Sequence, residues 1–235
     1  AKGAELDQLE QQLNGLKSPL SGEHTIEGFK AAIKANPKAA NNHYNLGRAQ
    51  HNAGELAPAI VSYKMAIKIK PDYVQAYDNL ILALSDINNI DGLIEACNGV
   101  IKIKPDHAVA YYSIGVALAG RGDFDAAIES YKQAIKLKPD YHSSYNNMGN
   151  ALKAKGDMDG ALDSFKQAIK IKPDYAEAHY NMGIAFTDKY NLDASIESYK
   201  QAIKIRPDYT SAWTNLSFLP VKKLGDRVFD EFMSG

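Results

Sequence analysis

Six prolines recur at a fixed interval of 34 residues: Pro37, Pro71, Pro105, Pro139, Pro173 and Pro207. A strict period of that length means one supersecondary unit copied along the chain, so the core is built between neighbouring copies rather than inside one closed globule. The length of 235 residues therefore does not count domains here. It counts repeats.

The stretch from Ala108 to Tyr141 shows what is copied. Tyr111, Ile114, Gly115 and Leu118 make one apolar stripe at helical spacing, and Ala127, Ile128, Tyr131, Ala134 and Ile135 make a second. Gly122 lies between them, where a helix needs a residue that accepts left-handed dihedrals to stop. Asp123 and Asp125 follow, placed to cap the second helix and meet its positive end. Lys136 and Lys138 fall in its last turn and Pro139 ends it. The repeat is thus predicted to be an antiparallel helical hairpin, each helix about 13 residues or roughly 20 Å long.

With proline numbered as position 32, the repeats align as 40–73, 74–107, 108–141, 142–175 and 176–209. In this frame the residues resemble the tetratricopeptide repeat. That family's pattern asks for an aromatic at position 4, Leu at 7, Gly or Ala at 8, a large residue at 11, Ala at 20, an aromatic at 24 and Ala at 27. Residues 142–175 supply Tyr145, Met148, Gly149, Leu152, Ala161, Phe165 and Ala168. Residues 40–73 supply His43, Leu46, Gly47, Ala59, Tyr63 and Ala66, with polar Gln50 at position 11. Residues 176–209 supply His179, Met182, Gly183, Phe186, Ser195, Tyr199 and Ala202. The resemblance implies an all-α, right-handed superhelical solenoid of antiparallel helix pairs. Small residues at 8, 20 and 27 are expected to let the helices approach.

Residues 74–107 depart from the pattern. Ile81, Leu93 and Val100 take the small positions, Cys97 replaces the aromatic, and Asn88 replaces the turn glycine. Drift with compensating bulk is one reading; a kink that sets superhelix curvature is the other. Tyr190 also stands at a turn-glycine position, at some strain.

The ends are irregular. Leu6, Leu9, Leu13 and Leu16 form one apolar stripe and Ile26, Phe29, Ala32 and Ile33 another, so residues 1–39 read as a degenerate capping hairpin. After Trp213 and Leu216, Pro220 falls inside what would be a first helix. Val221, Leu224, Val228, Phe229 and Phe232 then make a final amphipathic stretch, so residues 210–235 read as C-terminal capping helices. These terminal faces are also candidates for self-association. The chain opens on Ala1 and closes on Met233-Ser234-Gly235, and reads as a piece cut from a longer protein.

Several function classes find no support. A net charge of −1 calls for neither nucleic acid nor an anionic membrane, and no run reaches the ~18 apolar residues of a membrane span. A cytoplasmic location is expected. The single cysteine, Cys97, excludes an internal disulfide, and no HExxH, GxSxG, GxGxxG or GxxxxGK[ST] signature is present. Neither cofactor nor metal is expected, and the chain is not read as an enzyme. His24, His43, His51, His107, His142 and His179 are read as packing or surface residues, and the pairs Asp123/Asp125 and Asp157/Asp159 as helix caps. The basic stripe at positions 29 and 31, such as Lys68/Lys70 and Lys204/Arg206, is read as complementing helix dipoles.

Position 6 is harder to assign to packing. It holds Asn45, Asn79, Asn147, Asn181 and Asn215, interrupted by Ser113. In the family the first helices line the concave surface, so these side chains would form a ladder along the groove. The ladder is similar to that in the repeat array of O-GlcNAc transferase, which implies binding of extended polypeptide. An amide can pair with both N–H and C=O of a peptide backbone. Tyr44, Tyr112 and Tyr180 at position 5 would flank it as an amphipathic wall. The family's carboxylate clamp needs lysine at position 5, where this chain has Tyr44, Asp78, Tyr112, Asn146, Tyr180 and Thr214. The expected partner is therefore a protein or peptide held in the groove. The alternative is a substrate-docking or oligomerisation arm of a larger enzyme. KPDYAEAHYNMG and AWTNLSFLP resemble bacterial chains in which such repeats precede a sulfotransferase or glycosyltransferase domain.

Overall fold

The computed structural model describes residues 25–219. Among these it forms twelve α-helices and no strand: α1 (Ile26–Ala35), α2 (Ala40–Asn52), α3 (Leu56–Ile69), α4 (Val74–Asp86), α5 (Ile90–Ile103), α6 (Ala108–Arg121), α7 (Phe124–Leu137), α8 (His142–Ala154), α9 (Met158–Ile171), α10 (Ala176–Asp188), α11 (Leu192–Ile205) and α12 (Thr210–Phe218). The terminal stripes at Leu6–Leu16 and Val221–Phe232 lie outside the described residues. The chain divides into two compact bodies between Pro139 and Asp140. The first holds α1–α7, the second α8–α12. In each, a first helix packs antiparallel on its second helix, and the second helix packs on the next first helix.

Both ends of each helix follow from local chemistry. Thr25, Asn89, Asp157 and Asn191 accept a backbone N–H three residues on, as good N-caps do. Asp123 does not: its carboxylate turns back to Arg121 Nε at 2.6 Å and leaves α7 without a side-chain cap. The expected cap there is corrected, because a charge-assisted bond to guanidinium outcompetes a neutral amide. Turns between paired helices pass through a left-handed residue at Gly54, Gly122 and Gly156, and at Asn88 (φ 54°) and Tyr190 (φ 58°). The last-turn lysines Lys68, Lys102, Lys136, Lys170 and Lys204 meet the negative helix ends. One step later, Lys70, Lys172 and Arg206 lie over the rings of Tyr73, Tyr175 and Tyr209 at 4.9, 5.5 and 4.3 Å, cation–π contacts that brace the link between repeats. Helix α12 stops at Phe218, and Leu219 is extended (φ −65°, ψ 141°), as a residue preceding proline prefers.

One contact recurs inside the regular hairpins. A Cβ built on Gly47, Gly115, Gly149 or Gly183 would come within 2.6–2.7 Å of the ring of Tyr63, Tyr131, Phe165 or Tyr199. Position 8 is small because the position 24 ring lies flat on its backbone. The polar exceptions are satisfied: buried Gln50 accepts from Ser62 Oγ at 2.7 Å, and Ser195 Oγ donates to the Gly183 carbonyl at 2.9 Å.

The irregular repeat exchanges the two partners. Ile81 fills position 8 where Cys97 offers no ring, and both are buried with Leu84, Leu93 and Val100 in the core of the first body. Ile81 at position 8, Leu93 at position 20 and Val100 at position 27 are all buried and together supply the bulk that the missing ring would have filled. The exchange has a consequence outside the core. Helices α4 and α5 approach each other less closely along their length than the other complete hairpins of the described residues. Tyr77 leans over Gly99, whose Cβ would meet its ring at 2.5 Å.

Candidate functional site

Three of the position 6 asparagines tie their repeat to the one before it, while Asn147 Oδ1 accepts from Asn146 Nδ2 on its own helix at 3.3 Å. Asn79 Nδ2 donates to the hydroxyl of Tyr44 at 3.0 Å in the first body. In the second, Asn181 Nδ2 donates to Asn146 Oδ1 at 3.0 Å and Asn215 Nδ2 to the hydroxyl of Tyr180 at 3.2 Å. Each bond spans 35 residues, from position 6 back to position 5 of the preceding repeat. Asparagine at position 6 is therefore part of the stacking, contrary to the expectation that packing has no use for it. Each staple contributes about 0.5–1.5 kcal/mol net. Asn79 and Asn181 are buried, and Asn45, Asn147 and Asn215 are half-buried.

The tyrosines beside the ladder are also more engaged than a free wall would be. Tyr44, Tyr112 and Tyr180 tilt against Tyr63, Tyr131 and Tyr199 with ring centroids 5.9–6.2 Å apart. Tyr44 and Tyr180 pack further on Tyr73 and Tyr209, both at 4.9 Å. Tyr112 is buried, and burial pushes the Tyr44 hydroxyl above its ordinary pKa. What these residues offer a ligand is a ring edge and a hydroxyl, not an open aromatic face. Arg48 stands 5.7 Å from the Tyr44 ring and adds one cation to this surface. In the second body Glu177 shares Asn146 as a hydrogen-bond partner, and its carboxyl is pushed up by burial.

A primary amide has two N–H donors and one carbonyl acceptor. The staple uses one donor and holds the amide plane in one orientation. The second N–H and the carbonyl remain, the pair that can bond an extended backbone without reading its side chains. First helices of successive repeats sit roughly 8–10 Å apart when packed, about three residues of extended chain at ~3.3 Å each.

His43, His51, His107 and His179 and the aspartates Asp123, Asp157 and Asp159 find structural partners. His43 and His179 Nε2 donate to the carbonyls of Pro37 and Pro173 at 2.9 and 3.1 Å, and Trp213 Nε1 does the same to Pro207 at 2.9 Å. Where position 4 is histidine or tryptophan, a ring N–H thus holds the preceding proline turn. His107 is buried, and its Nδ1 accepts the N–H of Ala110 to cap α6. Nε2 therefore carries the proton, 3.1 Å from Asp78 Oδ1. His51 Nε2 meets Asp86 at 2.9 Å. Of the Asp157/Asp159 pair, the first caps α9 and the second pairs with Lys189 of the next repeat, which holds the Asp159 carboxyl below its usual range. Cys97 is buried, and its thiol is pushed up to about 12 by desolvation, so no thiolate nucleophile is available there. Among the described residues, no group of three or more His, Cys, Asp or Glu side chains is arranged to hold a metal ion. No helix of the described residues is long and apolar enough to cross a membrane.

Stacked antiparallel helix pairs with Gly–aromatic contacts, proline turns and inter-repeat staples define an all-α helix-pair solenoid, a class built for protein–protein interaction. Sequence profiles of the tetratricopeptide repeat match residues 26–74, 118–156, 149–189 and 176–209, and the chain belongs to the tetratricopeptide repeat family. The stretch between the first two matches holds the irregular repeat. No curated protein sequence matches the chain. Among solved structures the chain is similar to YrrB, described as a TPR protein with an unusual peptide-binding site, at 22% identity and a TM-score of 0.66, covering 83% of this chain and 100% of that one. It is similar to MamA at 26% identity and a TM-score of 0.65, covering 71% and 97%. MamA from Desulfovibrio magneticus RS-1 aligns at 15% identity and a TM-score of 0.66, covering 72% and 96%. The family is one of interaction scaffolds, usually without catalysis of their own.

Proposed function

We propose that this protein binds an extended segment of another polypeptide along the first helices of its compact bodies. The position 6 asparagines, Asn45, Asn79, Asn147, Asn181 and Asn215, are the backbone-reading groups. One observation carries the reading: the staples at Asn79, Asn181 and Asn215 leave an oriented donor and acceptor on each amide. A polar group already fixed by its own fold loses little freedom when it binds. YrrB, which shares the fold, carries a peptide-binding site and shows that the scaffold can host one. Tyr44, Tyr112 and Tyr180 contribute ring edges and hydroxyls.

Each backbone bond is worth about 0.5–1.5 kcal/mol net against a large association cost, so a single segment binds at about micromolar Kd. The test uses the whole chain and a random linear peptide library, from which binders are selected and their affinities measured by calorimetry. Changing Asn147→Ala and Asn181→Ala together weakens the selected peptides by about 10–100-fold while helix content stays the same. Unchanged affinity in that variant, or a library that yields no binder, contradicts the reading.

A further inference from the structure

The outer surface of the first two complete repeats differs from that of the rest. At positions 22 and 26 the later regular repeats carry Glu129 and Gln133, Asp163 and Gln167, and Glu197 and Gln201. The position 22 acid there pairs with lysine one turn on, Glu129 with Lys132 at 2.7 Å and Asp163 with Lys166 at 3.2 Å. On α3 the same two positions are Val61 and Met65, 65% and 39% exposed, an apolar ridge where solvent normally meets charge. Beside this ridge lies an open groove of about 670 Å3, bounded by Ile67 of α3, Tyr77 and Leu80 of α4, and Ile94 of α5. It lies where α4 and α5 pack less closely than the other complete hairpins of the described residues, and the ring of Tyr77 covers Gly99 at its edge. Ridge and groove lie side by side on one surface.

The charges around them are split in the same way. Lys64 keeps the position 25 lysine but has Val61 in place of its acid. Glu95 keeps the position 22 acid but has Asn98 in place of its lysine. Both line the groove, with Asp91 and Lys102 also on the rim, and neither Lys64 nor Glu95 makes an ion pair among the described residues. One helix therefore holds an unmatched cation and its neighbour an unmatched anion, on a surface that also holds a ridge and a groove.

We propose that this outer face of α3 and α5 is a self-association surface that pairs with a second copy of the same chain about a two-fold axis. An isologous contact requires a surface complementary to itself, and this one meets the requirement in shape and in charge. The Val61–Met65 ridge of one copy enters the groove lined by Ile67 and Ile94 of the other, and Lys64 of each meets Glu95 of the other. Stripping water from Val61 and Met65 supplies the apolar gain, and a net charge of −1 sets no long-range repulsion against it. The asparagine face stays free, so a dimer presents two peptide-binding faces and gains avidity for repeated segments.

Sedimentation velocity on the full chain from about 10 to 500 μM tests this, with the interface in the small, weak class. The wild type shows concentration-dependent dimerisation. The variant Val61→Glu/Met65→Gln, which copies residues the later repeats already tolerate, stays monomeric with unchanged helix content. Lys64→Glu and Glu95→Lys each weaken dimerisation by about 10-fold or more, and an equimolar mixture of the two restores it through heterodimers. A wild type that is monomeric throughout, a Val61/Met65 variant that associates like the wild type, or a charge-swap mixture no better than its components overturns the proposal.

Discussion

The hairpins α4/α5 and α6/α7 sit next to each other in the first body and solve one packing problem in opposite ways. In α6/α7, Gly115 takes the flat face of Tyr131, the helices close tightly, and the outer surface carries Glu129 paired with Lys132. In α4/α5, Ile81 supplies the bulk and Cys97 the space. The core is filled in both cases. What differs is the outside: the exchanged pair goes with a less close approach of α4 and α5, and an open groove lies over this hairpin against α3. The lesson is that positions 8 and 24 trade volume as a pair, and the cost of the trade appears on the surface rather than in the core.

The comparison breaks most sharply if its two halves are exchanged. Gly115→Ile pushes a branched side chain into the Tyr131 ring, which a single Cβ would already approach to 2.6 Å, and destabilises by about 3 kcal/mol in chemical denaturation. Adding Tyr131→Cys recreates the irregular pairing in a regular repeat and recovers at least ~1 kcal/mol of the loss expected from summing the two single changes. Strict additivity would mean that the two positions do not trade volume.

A smaller effect separates the two non-glycine turns. Asn88 and Tyr190 both adopt left-handed dihedrals, but only asparagine tolerates them well. Tyr190 is 91% exposed and gains no packing in return. Tyr190→Gly is expected to stabilise by about 1 kcal/mol and Asn88→Gly to be nearly neutral, read from thermal midpoints. Equal shifts in the two variants would remove the distinction.

The smallest effect concerns the ion pair that joins repeats on the outside. The hydrogen bond and charge of Lys189 hold the Asp159 carboxyl below its ordinary range. A carboxyl depressed in the folded state adds stability above its unfolded pKa, and that stability is lost as pH falls through the folded value. Asp159→Asn therefore flattens the acid limb of a stability–pH profile slightly and leaves stability below that limb unchanged. The pair is exposed, so solvent screening keeps the effect below the other two.

Much of this was legible in the chain. The proline period placed every turn, and the αL residues at Gly54, Gly122, Gly156, Asn88 and Tyr190 stand where the repeat frame expects them. The asparagine ladder was visible too, but its staple was not, because the partner belongs to the previous repeat. A signal existed: Tyr44 and Asn79, Asn146 and Asn181, and Tyr180 and Asn215 are acceptor–donor pairs 35 residues apart. The histidines at position 4 read as odd aromatics until the proline carbonyls came within reach of their ring nitrogens. Asp123 failed as a cap because Arg121, two residues earlier, could bend back to it. Neighbour chemistry decided each of these, and a periodic pattern records positions without recording which neighbours turn toward each other.

The central claim is that the stapled amides read a peptide backbone. It is tested most directly by following the side-chain amide resonances of the asparagines by NMR as a library-selected peptide is added. The account predicts shifts at Asn45, Asn79, Asn147, Asn181 and Asn215, and at Asn79, Asn181 and Asn215 the proton that is not bonded to the preceding repeat moves most. Shifts confined to other side chains, with the ladder resonances unmoved at saturation, would contradict it.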